Sequence, residues 1–136
     1  MSQTIRICIA VVAPLAIACG PSVEESAILT QGLLSAAQKA YGASLERAAE
    51  FAGKGDLAEG RRTLQQRAAD LATNQIPRIE CDQRLRSSDR EIVVHTMTTE
   101  KQMLEKAVGT NDAEFLKFIE QELVGLMQSS VAGTKK

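Results

Sequence analysis

Apolar residues recur every three or four positions in four stretches of this chain, a spacing that places them on one face of a helix. After residue 22, no stretch shows the alternation of apolar and polar residues that is typical of a half-buried strand. The chain has 136 residues, which is enough for one hydrophobic core. Short connections between the stretches favour antiparallel neighbours. The sequence therefore predicts an all-α fold, a compact antiparallel bundle of about four helices.

Capping-box spacing marks where the predicted helices begin. In such a box, a side-chain oxygen and a carboxylate three residues later satisfy backbone N–H groups that have no partner within the helix. The first, second and fourth predicted helices begin at Ser22–Glu25, Asp56–Glu59 and Asn111–Glu114, and they extend to about Ala52, Asn74 and Met127. Residues 129–136 are predicted to form a polar, disordered tail.

The third helix has two interpretations. It is one helix from about Pro77 to Val108, or a short turn up to Arg86 followed by a new helix. In the second case, Ser88 and Glu91 supply a further capping box. The apolar spacing alone does not decide between them.

The first 22 residues follow a different pattern. Arg6 precedes an uncharged run over residues 7–18, and the run ends in small residues before Cys19. A helix of that length reaches roughly 18 Å, whereas a bilayer core of about 30 Å needs roughly 20 residues. A basic start, a short apolar run and a small residue at its end are the parts of a secretory signal.

The segment Leu15-Ala16-Ile17-Ala18-Cys19 resembles the lipobox of bacterial lipoproteins. The resemblance implies that residues 1–18 are a cleaved signal peptide and that Cys19 carries the lipid of a helical periplasmic domain, residues 19–136. Two or more acyl chains would anchor that domain stably. Gly20 implies sorting to the outer membrane. The alternatives are an ordinary secretory signal, which would release the domain into the periplasm, and a buried apolar strand with a chance cysteine.

The composition argues against several classes of ligand. Sixteen basic and 17 acidic residues give a net charge of −1, whereas nucleic-acid-binding domains normally carry a basic excess. Aromatic residues make up 3% of the chain, which is few for stacking on bases, sugars or a flat cofactor. We therefore predict no nucleic acid, no cofactor and no small-molecule substrate.

Metal and catalytic sites also find little support. His95 is the only histidine in the chain, and its spacing from Cys81 and Asp82 does not bring four zinc ligands together. His95 is predicted on the polar side of the third helix, four residues from Glu91. Carboxylates such as Glu100 are predicted on solvated helix surfaces. A small hydrolase or redox enzyme that uses Cys81, or a pair of carboxylates that meet in space, remains an alternative to a non-enzymatic protein.

The cysteines are Cys8, Cys19 and Cys81. Removal of the signal and acylation of Cys19 would leave Cys81 as the sole unmodified cysteine, so the mature chain could form no internal disulfide. Burial as a small hydrophobic residue is the commonest fate of such a cysteine. An intermolecular bridge and a reactive thiol are the alternatives.

Arginine is concentrated in one part of the chain. Seven of the nine arginines lie between residues 61 and 90, and every basic residue after them is lysine. The planar guanidinium suits carboxylates and phosphates, so a rim of arginines could bind an acidic protein, an anionic lipid or lipopolysaccharide. The alternative is a solvated or internally paired surface. The candidate partner-binding residues are Arg78, Arg84, Arg86 and Arg90.

These observations predict a lipid-anchored lipoprotein of the bacterial envelope, in the outer membrane and facing the periplasm. It would act as a non-enzymatic adaptor that binds another envelope protein. A structural cell-wall tether is the alternative, because some small outer-membrane lipoproteins resemble this chain in ending with lysine, here Lys135-Lys136.

Overall fold

The structure is a computed structural model that describes residues 20–134, with side chains through residue 129. Cys19, the predicted signal peptide and Lys135-Lys136 lie outside the described residues. The described part folds into helices without strands: α1 (Val23–Gly53), α2 (Leu57–Asp70), a π-helical turn (Leu71–Gln75), α3 (Ile76–Glu80), α4 (Ser87–Val108) and α5 (Asp112–Thr134).

The long helices α1, α2, α4 and α5 alternate in direction, and α1 packs against the other three. This arrangement confirms the predicted all-α antiparallel bundle. The core draws on the apolar faces of all four long helices, and Leu71, Ile76, Ile79 and Leu85 from the segment between α2 and α4 complete it. The side chains with no exposed surface include Leu45, Ala48, Leu64, Leu71, Val93, Leu104 and Phe115.

Three of the four predicted caps are present. The side chains of Ser22, Asp56 and Asn111 accept the backbone N–H groups of Glu25, Glu59 and Glu114 at 3.1, 3.2 and 2.9 Å. The chain turns between α1 and α2 at Gly55, whose φ of +78° lies in the left-handed region that favours glycine.

Pro77 does not end the helical path. It lies in the first turn of α3, directly after the π-helical turn. A proline ring clashes with the carbonyl four residues earlier in a regular helix, and a wider turn moves that carbonyl away. The carboxylate of Asp70 accepts the side-chain amides of Asn74 and Gln75 at 2.7 and 2.6 Å, and these bonds lower the pKa of Asp70.

Two boundaries differ from the simplest interpretations of the sequence. The third helical stretch is interrupted at residues 81–86, so α4 is a new helix and the continuous alternative is wrong. Its first residue is Ser87, and Arg86 at the cap position makes no side-chain cap. At the other end, the backbone of α5 remains helical to Thr134, past the point where the polar tail was predicted to begin.

A buried ion pair connects three of the long helices. Nε of Arg67 in α2 donates to Glu100 in α4 at 2.7 Å, and the two side chains are 6% and 10% exposed. The Arg67 guanidinium also donates to the carbonyl of Ala37 in α1 at 3.5 Å. Burial raises the pKa of Glu100, although Arg67 opposes that shift. The prediction that Glu100 lies on a solvated surface was wrong, because its partner comes from another helix.

A second buried polar contact involves the remaining long helix, α5. The hydroxyl of Tyr41 in α1 donates to Oε1 of Glu122 in α5 at 2.5 Å. Burial, followed by the bond to Glu122, raises the pKa of Tyr41, so the phenol keeps its proton and remains a donor. Each of the four long helices thus contributes one side chain to a polar layer across the bundle, which consists of Tyr41, Arg67, Glu100 and Glu122.

Replacing one member of the buried ion pair should destabilise the fold far more than replacing both. We expect Arg67→Met to lower the free energy of unfolding by about 3–5 kcal/mol, because it leaves the Glu100 carboxylate buried without its partner. The double variant Arg67→Met/Glu100→Met should recover most of that loss. Urea unfolding measures both values.

The pair between Lys101 and Glu105, at 2.8 Å and with side chains 30% and 54% exposed, provides a more solvated control. Lys101→Met should cost less than about 1 kcal/mol, as is usual for surface ion pairs. If Arg67→Met/Glu100→Met loses as much free energy of unfolding as Arg67→Met and Glu100→Met combined, this account of the buried pair is wrong.

Candidate functional site

The candidate arginines lie at the end of the bundle where α1 begins. We call this the N-terminal end, and it comprises residues 20–26 and 81–90. The first turn of α1, the loop between α3 and α4 and the first turn of α4 meet there. Arg84, Arg86 and Arg90 lie within it, and Arg78 is in the adjacent helix α3.

Ser26 joins these segments and is fully buried. Its hydroxyl accepts the backbone N–H of Arg86 at 2.8 Å and donates to Oδ2 of Asp89 at 2.5 Å. The backbone N–H of Arg86, directly before α4, therefore has its hydrogen-bond acceptor in α1. Sequence reasoning missed Ser26. Its position could have indicated this role. Ser26 lies seven residues before Leu33 and eleven before Ala37, so helical spacing places this polar side chain on the apolar face of α1.

Arg90 has a structural role. Its guanidinium donates to the backbone carbonyls of Asp82 and Leu85 at 2.9 and 3.0 Å and so holds the loop between α3 and α4. Its donors are therefore directed to the protein's own backbone. Composition does not distinguish a half-buried arginine with such a structural role from an arginine on the surface.

Arg84 is paired within the same loop. Its guanidinium donates to both carboxylate oxygens of Asp82, at 3.0 and 2.7 Å. The bonds from Arg84 lower the pKa of Asp82, and the carboxylate in turn raises the pKa of Arg84. The side chain of Arg84 is nevertheless 72% exposed. A partner would meet a pair whose charges largely cancel.

Arg78 and Arg86 remain available for a partner. Both side chains are exposed, and neither makes an ion pair or a side-chain hydrogen bond with a residue that the structure describes. The exposed carboxylates of Glu24, Glu25 and Glu91 belong to the same part of the bundle as Arg86. Arg78 instead lines a depression with Asp70 and Leu33, and its charge contributes to lowering the pKa of Asp70. The N-terminal end therefore presents a mixed surface with one unpaired guanidinium group, that of Arg86, and Arg78 lies beside this end on α3, so the arginines form no continuous basic rim.

The other arginines of the cluster have partners elsewhere. Arg61 donates to the carbonyls of Val108 and Thr110 at 2.8 and 2.7 Å, and its guanidinium lies 4.5 Å from the centre of the Phe115 ring. It thereby caps the end of α4 at the opposite end of the bundle. Arg62 forms an exposed pair with Glu59 at 3.3 Å.

A shallow depression of about 500 Å³ lies between α3 and the first half of α4. His95, Glu91, Glu80 and Ser87 are among the residues that line it. The His95 side chain is exposed, as predicted, and forms no hydrogen bond with a described residue. Within the described part of the chain, no three His, Cys, Asp or Glu side chains are placed to hold a metal ion.

Cys81 differs from its prediction. It is half-buried at the end of α3, and it is disulfide-bonded. The expectation that it would be an unmodified, buried thiol is therefore wrong for this chain. That expectation assumed removal of the signal peptide and acylation of Cys19.

Comparisons with protein-family models, with curated proteins and with solved structures found no match. Among residues 20–134, none of the helices combines the length and the hydrophobicity that crossing a bilayer requires. Function is therefore inferred from the chain's own residues.

Removing the Ser26 hydroxyl should loosen the N-terminal end. We expect Ser26→Ala to lower the free energy of unfolding by about 1–3 kcal/mol, because the Arg86 N–H and the Asp89 carboxylate both lose a partner. Hydrogen exchange at the Arg86 amide should accelerate in parallel. Urea unfolding and exchange mass spectrometry measure the two effects.

Ser44→Ala is the control, because the Ser44 hydroxyl donates only to the carbonyl of Ala40 in its own helix, at 3.0 Å. Its cost should stay below about 0.5 kcal/mol. If the two variants lose the same stability, Ser26 does not join the segments as described.

Proposed function

We propose that this chain is a lipid-anchored lipoprotein of the bacterial envelope whose helical domain binds another envelope protein without catalysing a reaction. The observation that carries the proposal is the segment Leu15–Cys19 followed by the start of α1 at Val23. The lipid would be attached at Cys19. We place the anchor in the outer membrane, facing the periplasm, on the basis of Gly20.

The geometry of α1 supports a domain held close to the bilayer. Three residues, Gly20 to Ser22, separate Cys19 from Val23, and fully extended they would span about 10 Å. A lipid on Cys19 would therefore keep the N-terminal end near the headgroups. Arg86 lies at this end, and Arg78 lies further along the bundle at the level of Leu33, so a partner that contacts both would extend from the membrane surface along the domain.

The unpaired guanidinium groups support a protein partner with exposed carboxylates. Arginine forms two parallel hydrogen bonds with a carboxylate, which fixes the orientation of a partner as well as attracting it. The exposed carboxylates near Arg86, and Asp70 near Arg78, would repel a uniformly anionic surface such as a lipid layer. A partner protein with a few matched charges fits this mixed surface better.

The anchor is tested by the mass of the protein recovered from cells. We expect intact-mass analysis to show loss of residues 1–18 and a lipid increment on Cys19. Cys19→Ser should abolish the increment, and Cys81→Ser should retain it. A thioether to lipid uses the sulfur of Cys19, so lipid and a disulfide at that residue exclude each other. Protein that still contains Met1, or an unmodified Cys19, would contradict the proposal.

The partner surface is tested by charge reversal. We expect Arg78→Glu/Arg86→Glu to weaken capture of a co-purifying envelope protein about tenfold or more, since two attractive charges become repulsive. The measurement is quantitative mass spectrometry of detergent-extracted complexes. Circular dichroism checks that the helices persist.

Arg62→Glu serves as the control, because Arg62 is an exposed arginine, 66% accessible, that lies outside the N-terminal end. It should leave the co-purification unchanged. If the parent chain, Arg78→Glu/Arg86→Glu and Arg62→Glu all capture the partner equally well, Arg78 and Arg86 do not contribute to the interface.

A further inference from the structure

A groove of about 830 Å³ runs along the seam between α1 and α5. Its α5 wall is mostly apolar and consists of Leu123, Leu126 and Met127, with Ser129 at one end. The Met127 side chain is 68% exposed, and Val124 on the same helix is 47% exposed. Apolar side chains gathered along an open groove are typical of a surface that another molecule covers.

The α1 wall of the groove carries two opposite charges in a symmetric arrangement. Lys39 and Glu46 both line the groove and are exposed, and neither forms an ion pair or hydrogen bond with a described residue. They are two helical turns apart, about 10 Å along α1. Gly42 and Ala43 lie midway between them and also line the groove.

This spacing is complementary to itself. A second α1 helix running in the opposite direction, and centred between Gly42 and Ala43, would bring Lys39 of each copy opposite Glu46 of the other. The two-fold axis produces this ion pair twice. The exposed Ala43 at the crossing point would let the backbones approach closely, while Leu126, which packs against Gly42 of its own chain, and Met127 from each α5 cover the flanks.

We propose that the groove binds α1 of a second copy of this chain, in an antiparallel, two-fold symmetric dimer. The apolar side chains of α5 supply the buried area, and the ion pairs of Lys39 and Glu46 set direction and register. The self-complementary charges favour a second copy over an unrelated helix. The dimer does not depend on the proposed lipid anchor.

Zero-length cross-linking tests the predicted contact directly. Unlabelled and ¹⁵N-labelled full-length protein are mixed in detergent, left to exchange and treated with a carbodiimide, which joins an amine to a carboxylate in contact. We expect an amide between Lys39 and Glu46 in peptides that combine one labelled and one unlabelled half. Linked peptides of one isotope alone, or no link between these residues, would overturn the proposal.

Charge exchange tests the register. Lys39→Glu and Glu46→Lys should each weaken dimerisation about tenfold or more in sedimentation experiments, because each places like charges together twice. The double variant Lys39→Glu/Glu46→Lys should regain the parent affinity to within about threefold, since it restores both pairs in reverse. Lys106→Glu, an exposed lysine of α4, is the matched control and should have no effect.

Three outcomes would overturn the dimer. The first is a parent chain that sediments as a monomer at all concentrations. The second is a double variant that associates no better than the single variants. The third is a monomer that binds a different protein through Lys39 and Glu46, which would give the groove to that protein. Ala43→Gln provides a further test, because a bulky, exposed side chain at the crossing point should block the dimer while leaving the helix intact.

Discussion

The buried contact between Arg67 and Glu100 fixes how the helices of this bundle meet. Apolar burial is non-directional and would tolerate several rotations and shifts of Ala- and Leu-rich helices against one another. A guanidinium that must reach Glu100 on α4 and the carbonyl of Ala37 on α1 tolerates far fewer. Burial raises the pKa of Glu100 even beside Arg67, so desolvation has a real cost here. The pair contributes more to choosing one arrangement than to net stability.

The contrast between local signals and contacts of distant residues explains which features the sequence predicts well. Helical spacing and capping boxes are local, so they correctly predict the all-α bundle and the starts of α1, α2 and α5. The break at residues 81–86 depends on a distant residue, because Ser26 completes the hydrogen bonding at the start of α4. Glu100 likewise has the sequence neighbours of a surface carboxylate, and its burial follows from a partner 33 residues away.

The arginine cluster illustrates a limit of composition as a guide to function. Arg61, Arg67 and Arg90 each donate hydrogen bonds to acceptors of the protein itself. Such internal acceptors use the several donors and planar shape of the guanidinium group just as an external partner would. A high local content of arginine therefore reflects structural demand as well as recognition. What remains for a partner, Arg78 and Arg86, emerges only after the internal acceptors are known.

The proposed anchor and the proposed dimer constrain each other. In an antiparallel pair centred between Gly42 and Ala43, the two α1 helices begin about 58 Å apart along their common axis. Short links of three residues could not bring two such distant ends to one bilayer if the helices stood upright. Both lipids reach the same membrane only when the pair lies along the surface, with its two-fold axis perpendicular to the bilayer. Arg78 and Arg86 of each copy would then lie near opposite ends of the pair, so a single dimer would offer two equivalent partner sites at the membrane surface.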